Sequence, residues 1–257
     1  QTCALPILRF GTLSPQQVAE GAFASDAETV VLSDINNTAG IPEFYFACRN
    51  NGVKPIAGVD IRDKNNAQLF ILIAANNEGL AEINRWLSGV NNRLWKRTEL
   101  PEFANVYIVR PLETVKSDKL LDNEFIGIRP NQVKSLLSSS YRHLIDRMLM
   151  LYTVSFRKAR DFELCRNLRA VDSNILISQL PADIFSSESE VFVHPKKLRE
   201  IYSDYPQIIL NTLNLLKKCS LVFDKQHKNK KVFSETAASD VQLLRKYSLE
   251  GFARRYG

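Results

Sequence analysis

Two hydrophobic rhythms alternate along this chain. Apolar-rich runs of strand length (Val30 to Leu32, Lys54 to Ile61, Gln68 to Ala75) are followed by segments whose apolar positions recur every three or four residues. The first rhythm marks a strand covered on both faces and the second a helix with one buried side. Ser14-Pro15 opens a helix to about Ser25, with serine as N-cap and proline in the first turn. The run Val30 to Leu32 ends at Ser33-Asp34, and a polar turn follows (Asn36, Asn37, Thr38, Gly40). A helix over Ile41 to Asn50 and a strand over Lys54 to Ile61 complete a βαβ unit, whose parallel strands require a crossover. Asp34 stands at the tip of the first strand, where such units place chemistry.

The pattern continues downstream. Gln68 to Ala75 reads as a strand inside a covered parallel sheet, and Asn76 to Leu87 as an amphipathic helix with Leu80, Ile83, Trp86 and Leu87 on one face. Strands are predicted at Val106 to Val109, Phe125 to Ile128 and Arg147 to Val154, with a helix over Asn131 to Ser138. Phe162 to Pro181 reads as a helix broken at Asp172-Ser173-Asn174, and Val191 to Pro195 as an extended piece. Helices follow at Pro195 to Tyr202, Pro206 to Cys219 and Ala237 to Gly257. Strands alternating with helices give an α/β class with covered sheet faces. Periodicity by itself leaves a barrel and an open doubly wound sheet both standing.

Composition narrows the function classes. The 257 residues are 45% hydrophobic and 24% charged, ordinary for a globular protein with a large core. No apolar run approaches the ~20 residues of a membrane span, and Gln1 to Ile7 lacks the charged start of a signal peptide, so a cytoplasmic setting is expected. Cys3, Cys48, Cys165 and Cys219 are widely spaced without a CxxC, which favours buried or idle thiols over disulfides or zinc. The net charge of +6 weakly favours a polyanionic neighbour. Two basic stretches are candidate DNA contacts: Arg93, Trp95, Lys96 and Arg97, where an aromatic interleaves cations as in single-strand binders, and Lys228, Lys230 and Lys231 within Lys225 to Lys231. Either could equally be a solvated face. No Walker A or dinucleotide fingerprint is present.

The stretch Ser33-Asp34-Ile35-Asn36-Asn37, with Phe46, Ala47-Cys48, Gly52, Lys54-Pro55-Ile56, Gly58 and Asp60 behind it, resembles the "TDHNN...F..AC...G.KPI.G.E" stretch of PHP domains. The form most resembled opens the alpha subunit of bacterial DNA polymerase III, a C-family replicative polymerase. Leu8 to Ser14, Asn76 to Leu87, Phe162 to Pro181, Pro206 to Cys219 and Leu249 to Gly257 resemble further family segments. The resemblance implies a distorted seven-stranded (β/α) barrel over residues 1–220, with residues 1–7 atypical and a native N-terminus missing or replaced. A basic linker at 221–236 and, at 237–257, the start of the connection to the polymerase palm would follow.

The family pattern and this chain part company at the metal ligands. An active PHP phosphoesterase needs several His, Asp and Glu ligands around two or three metals. The family places a histidine where this chain has Ile35 and a glutamate where it has Asp60. The His-x-His pair is absent, Gln68-Leu69 replaces the region of another histidine, and an Asp-x-His near 153–157 is absent. Asp34, Ile35 and Asp60 are therefore vestigial metal-site positions, and neither a metal nor a catalytic residue is expected in this fragment. Asp34 is expected to cap a turn or the next helix, Asp60 to meet solvent at a strand end, and His143, His194 and His227 to be surface or packing residues.

What the resemblance implies for the whole protein is template-directed DNA synthesis in replication, with Mg2+ bound by paired aspartates of a palm after Gly257. The fragment would then brace the polymerase and offer a docking surface. Its partners would be DNA, the rest of the polymerase chain, a proofreading exonuclease subunit and other replisome subunits, with no membrane. Two rivals stand beside that reading: a metal-dependent PHP phosphoesterase or 3′–5′ exonuclease, and a silent binding module that stands alone.

Overall fold

The computed structural model describes residues 2–3, 12–92, 96, 98, 100–180, 187–224 and 232–256. The chain divides into two compact units, Gln1–Phe223 and Asp224–Gly257. In the first unit the described strands are β1 (Thr2–Cys3), β2 (Thr29–Ile35), β3 (Lys54–Arg62), β4 (Gln68–Ala74), β5 (Val106–Pro111), β6 (Glu124–Ile128), β7 (Met148–Met150) and β8 (Thr153–Val154). They form one sheet in the order β7-β6-β5-β4-β3-β2-β1-β8.

The sheet cannot be flat. Strands lie about 4.8 Å apart, so eight side by side would span roughly 34 Å. Yet β7 and β8, at its opposite ends, are joined only by Leu151 and Tyr152, a link that reaches about 11 Å at most. The sheet therefore curls until its edges meet. The predicted single strand over Arg147 to Val154 is two pieces: its first half pairs with β6 and its second with β1, both parallel. One segment closes the wall from both sides, so the sheet forms a curled, distorted (β/α) barrel.

Distortion enters at β4, which runs antiparallel to both β3 and β5, against the expected parallel pairing. The reason lies in connection length. Only Asp63 to Ala67 separate β3 from β4, too few for the dozen or more residues of a parallel crossover. Asp63 Oδ1 accepts the backbone N–H groups of Asn65 and Ala67, closing the turn.

The interior of the wall holds Val31, Ile56, Ile71, Ile73, Val109, Leu149 and Leu151. Its outer face is covered by α1 (Pro15–Ala24), α2 (Ile41–Asn50) and α3 (Asn77–Asn91), through Val18, Phe44, Ile83, Trp86 and their neighbours. A second outer cluster, with Ile126, Ile128, Met148, Tyr202 and Ile208, lies under α5 (Pro195–Ile201) and α6 (Pro206–Lys218). Local signals explain the helix ends. Ser14 and Gln17 form a reciprocal capping box on α1, and α4 (Asp161–Ser173) stops at Asn174 in the left-handed conformation, φ 51°. Thr212 Oγ1 on α6 accepts the Met150 N–H at 2.8 Å.

The helix predicted over Asn131 to Ser138 is instead two short 3-10 pieces, Pro130–Gln132 and Lys134–Ser138. Ser135 and Ser138 return their hydroxyls to the carbonyls three residues back, a local competition that disfavours a regular α-helix. The second unit, taken by itself, contains α7 (Ala237–Tyr256); Thr236, just before it, and Ser239, in its first turn, each accept the other's backbone N–H. Among the described residues no helix is long and apolar enough to cross a membrane.

Candidate functional site at the barrel mouth

Parallel strands β2, β3, β5 and β6 end on one side of the wall, and β4, being reversed, begins there. This is the end at which (β/α) barrels carry their sites. Alternation along β2 separates its last residues: Asp34 shares parity with Val30 and Leu32 of the helix-covered core, and Ile35 with Val31 of the interior. Ile35 is paired in register with Asp60 of β3, so an aliphatic side chain and a carboxylate stand side by side.

Asp60 is buried, 6% exposed, and the expected solvent contact does not occur. Its neighbours supply the reason. Arg62, two residues along β3 and therefore on the same face, gives Asp60 Oδ2 a forked contact, Nε at 2.9 Å and Nη2 at 2.8 Å. Gln68 Nε2 donates to the other oxygen at 2.8 Å. Gln68 reaches the interior through a register shift: Ile61 pairs with Phe70 but Arg62 with Gln68. Leu69 is the extra residue of this bulge, and bulges re-aim side chains beside sites in this way.

The contacts run on across the mouth. Gln68 Oε1 accepts from Arg129 Nη2, whose Nε donates to Glu113 Oε1 at 3.3 Å. Glu113 Oε2 accepts from Gln132 Nε2 at 2.8 Å, and Gln132 Oε1 accepts the Arg129 backbone N–H at 2.8 Å. Burial alone would raise the Glu113 carboxyl. Hydrogen bonds from its own backbone and Gln132, with the charge and hydrogen bond of Arg129, outweigh that and hold it below its ordinary value.

The main chain of Arg62 is clamped as well. Asn36, at φ 53°, accepts the Arg62 N–H at 3.0 Å and donates to the Arg62 carbonyl at 3.2 Å. Its own N–H donates to the Asp60 carbonyl at 2.9 Å. Asparagine tolerates the left-handed region better than most residues, so this position suits the turn.

Asp34 is buried at 1% exposure and does not cap α2, whose N-cap is Gly40 without a side-chain hydrogen bond. Asp34, Ile35 and Asp60 thus do not converge: the first faces the helix layer, the other two the interior. His194 caps α5 through Nδ1 and lies 3.3 Å from Asp26. His143 meets the Ser140 carbonyl on the surface. Cys48, Cys165 and Cys219 are buried free thiols. Of the candidate DNA contacts, Lys96 is exposed, while Arg93, Trp95, Arg97, Lys228, Lys230 and Lys231 lie outside the described residues, as does His227.

The residues at the mouth do not fit a polynuclear metal centre. Both oxygens of Asp60 are engaged, an isoleucine flanks it, and the Arg62 guanidinium already pairs with its carboxylate. Among the described residues no group of three or more His, Cys, Asp and Glu could hold a metal. Sequence reasoning noticed Gln68 only as a missing histidine, and it missed Arg62, Glu113, Arg129 and Gln132. The one available signal was Arg62 at i+2 from Asp60.

Comparison with known proteins agrees with the fold. The PHP domain family model matches residues 7–115. The DNA polymerase III alpha subunit of Mycoplasma genitalium is 24% identical over 231 residues, which cover 84% of this chain and 25% of that protein. That of Buchnera aphidicola is 22% identical over 253 residues, covering 82% of this chain and 22% of that protein. The chain therefore spans about a quarter of the length of these relatives. An amidohydrolase of known structure from Chromobacterium violaceum is 20% identical over 36% of this chain and 34% of its own, at a TM-score of 0.27. Residues 7–115 of this chain match the PHP domain family model, and more than four-fifths of the chain is similar to DNA polymerase III alpha subunits.

Proposed function

We propose that the chain is the PHP domain of a replicative DNA polymerase alpha subunit, acting as a brace and docking part whose metal site is lost. The parent protein extends a primer 3′ end on a DNA template, with Mg2+ in a palm beyond this segment. DNA, the remaining polymerase chain, a proofreading exonuclease subunit and other replisome subunits are its partners, in the bacterial cytoplasm. The loss of metal chemistry rests on one observation: the Asp60 carboxylate is saturated by Arg62 and Gln68. No hydrolytic step is assigned to the mouth.

The rival reading, a metal-dependent phosphoesterase or 3′–5′ exonuclease, is tested on the purified chain after dialysis against manganese. Metal content and hydrolysis of a phosphomonoester and of single-stranded DNA are measured beside an Asp34→Ala/Asp60→Ala control. No stoichiometric metal and no manganese-dependent turnover are expected. Turnover that disappears in the control would sink the proposal.

A further inference from the structure

We propose that the Arg62 guanidinium takes the place of a metal ion on Asp60, and that Arg62, Asp60, Gln68, Arg129, Glu113 and Gln132 form one relay bracing the barrel mouth without metal. The inference rests on the reading that the metal site is lost, and it says what replaced the metal.

A buried carboxylate beside an isoleucine is costly unless a cation and hydrogen bonds compensate it. Arg62 is the next residue on that face of β3, and its fork fits a carboxylate in a fixed geometry. Three independent devices hold the relay in place. Asn36 clamps the Arg62 main chain, the bulge turns Gln68 inward, and Gln132 fixes the backbone of Arg129. Polarity along the relay is consistent. Each glutamine gives its NH2 to a carboxylate and accepts from Arg129 with its oxygen, a double role that an acceptor-only metal ligand cannot fill. The relay links β3, β4 and the exits of β5 and β6, strands that successive hydrogen-bond ladders join only pairwise.

The test is a double-mutant cycle in EDTA on the whole chain, using thermal unfolding. Asp60→Asn and Arg62→Met are each expected to lower Tm by about 5 °C or more. The double variant should fall by clearly less than the sum, because each single change strands the other partner. Arg62→Lys keeps the charge without the fork, should lose an intermediate amount, and carries the cycle if Arg62→Met does not fold. Millimolar manganese should leave the wild-type Tm unchanged. Additive losses would overturn the relay while leaving the proposed function intact, whereas manganese-dependent hydrolysis would overturn that function. A rise in wild-type Tm with manganese, without hydrolysis, would overturn both the relay and the loss of the metal site, while leaving the bracing and docking role standing.

Discussion

Gly79→Ala tests the docking of α3 because sequence propensity and structure give opposite signs. By propensity, alanine inside a helix is favoured over glycine by about 1 kcal/mol. In the fold, a Cβ at residue 79 would sit 2.0 Å from the Asn105 carbonyl oxygen and 2.9 Å from its carbonyl carbon. Relief requires the β4–β5 side of the barrel and α3 to part by about 1.5 Å, to reach ordinary contact distance. That oxygen accepts the Ala75 N–H at 2.9 Å, and Glu82 accepts from both the backbone and the side chain of Asn105. Losing one such bond and loosening the others costs about 1 kcal/mol each, more where a buried group is stranded, so a net loss of about 3 kcal/mol is expected. For a domain of this size that is a Tm fall of roughly 6–12 °C, read by circular dichroism and checked by the urea midpoint. A variant as stable as wild type, or more stable, would refute the reasoning.

Two further expectations follow from charged groups. Lys54 Nζ donates to the Leu216 and Lys217 carbonyls at 2.9 and 3.2 Å, capping the C-terminus of α6, so Lys54→Met should cost about 2 kcal/mol. Burial pushes the Cys219 thiol up to about 11 while the Lys54 charge pulls it down, so the same variant should raise it further, seen in the pH dependence of thiolate absorbance. Glu113 is held below its ordinary value, so the folded state releases that proton more readily than the unfolded chain. Its contribution to stability is present above pH 4.5, the ordinary value, and fades as pH falls through the lowered folded pKa. In an NMR titration, Gln132→Ala should move the Glu113 midpoint upward; an unmoved midpoint would mean that this hydrogen bond does not shape it.

The residues that made the fold legible were those with local physics. Ser14-Pro15 marked α1, Val30 to Leu32 and Gln68 to Ala75 marked strands, and the alternation at Asn76 to Leu87 marked α3. Sense of pairing was less visible for β4, although the short span of Asp63 to Ala67 already excluded a parallel crossover. The split of Met148 to Val154 could not be read from its apolar run, because both halves are buried and differ only in their partners. At the mouth, Asp60 and Ile35 were legible as altered positions, but the forces on them were not. The relay partners Gln68, Glu113 and Arg129 are separated in sequence by 61 residues at the widest, and a bulge decides which way Gln68 points. Local pattern carries no record of either.

Arg62 also changes what would be needed to restore a metal. Ile35 stands in register with Asp60, so Ile35→His looks like the single change that returns a ligand pair. Yet the Asp60 oxygens already hold Arg62 and Gln68, and a dication would have to approach a fixed guanidinium. At about 4 Å and an effective dielectric near 20, a unit charge repels a divalent one by roughly 8 kcal/mol, more than one added imidazole and a shared carboxylate can offset. Ile35→His is therefore expected to take up no manganese by calorimetric titration, and any uptake should appear only in the Ile35→His/Arg62→Gln variant. Equal manganese binding by the two would mean that Arg62 yields its place freely. The guanidinium would then be an occupant of the mouth and not its replacement for a metal.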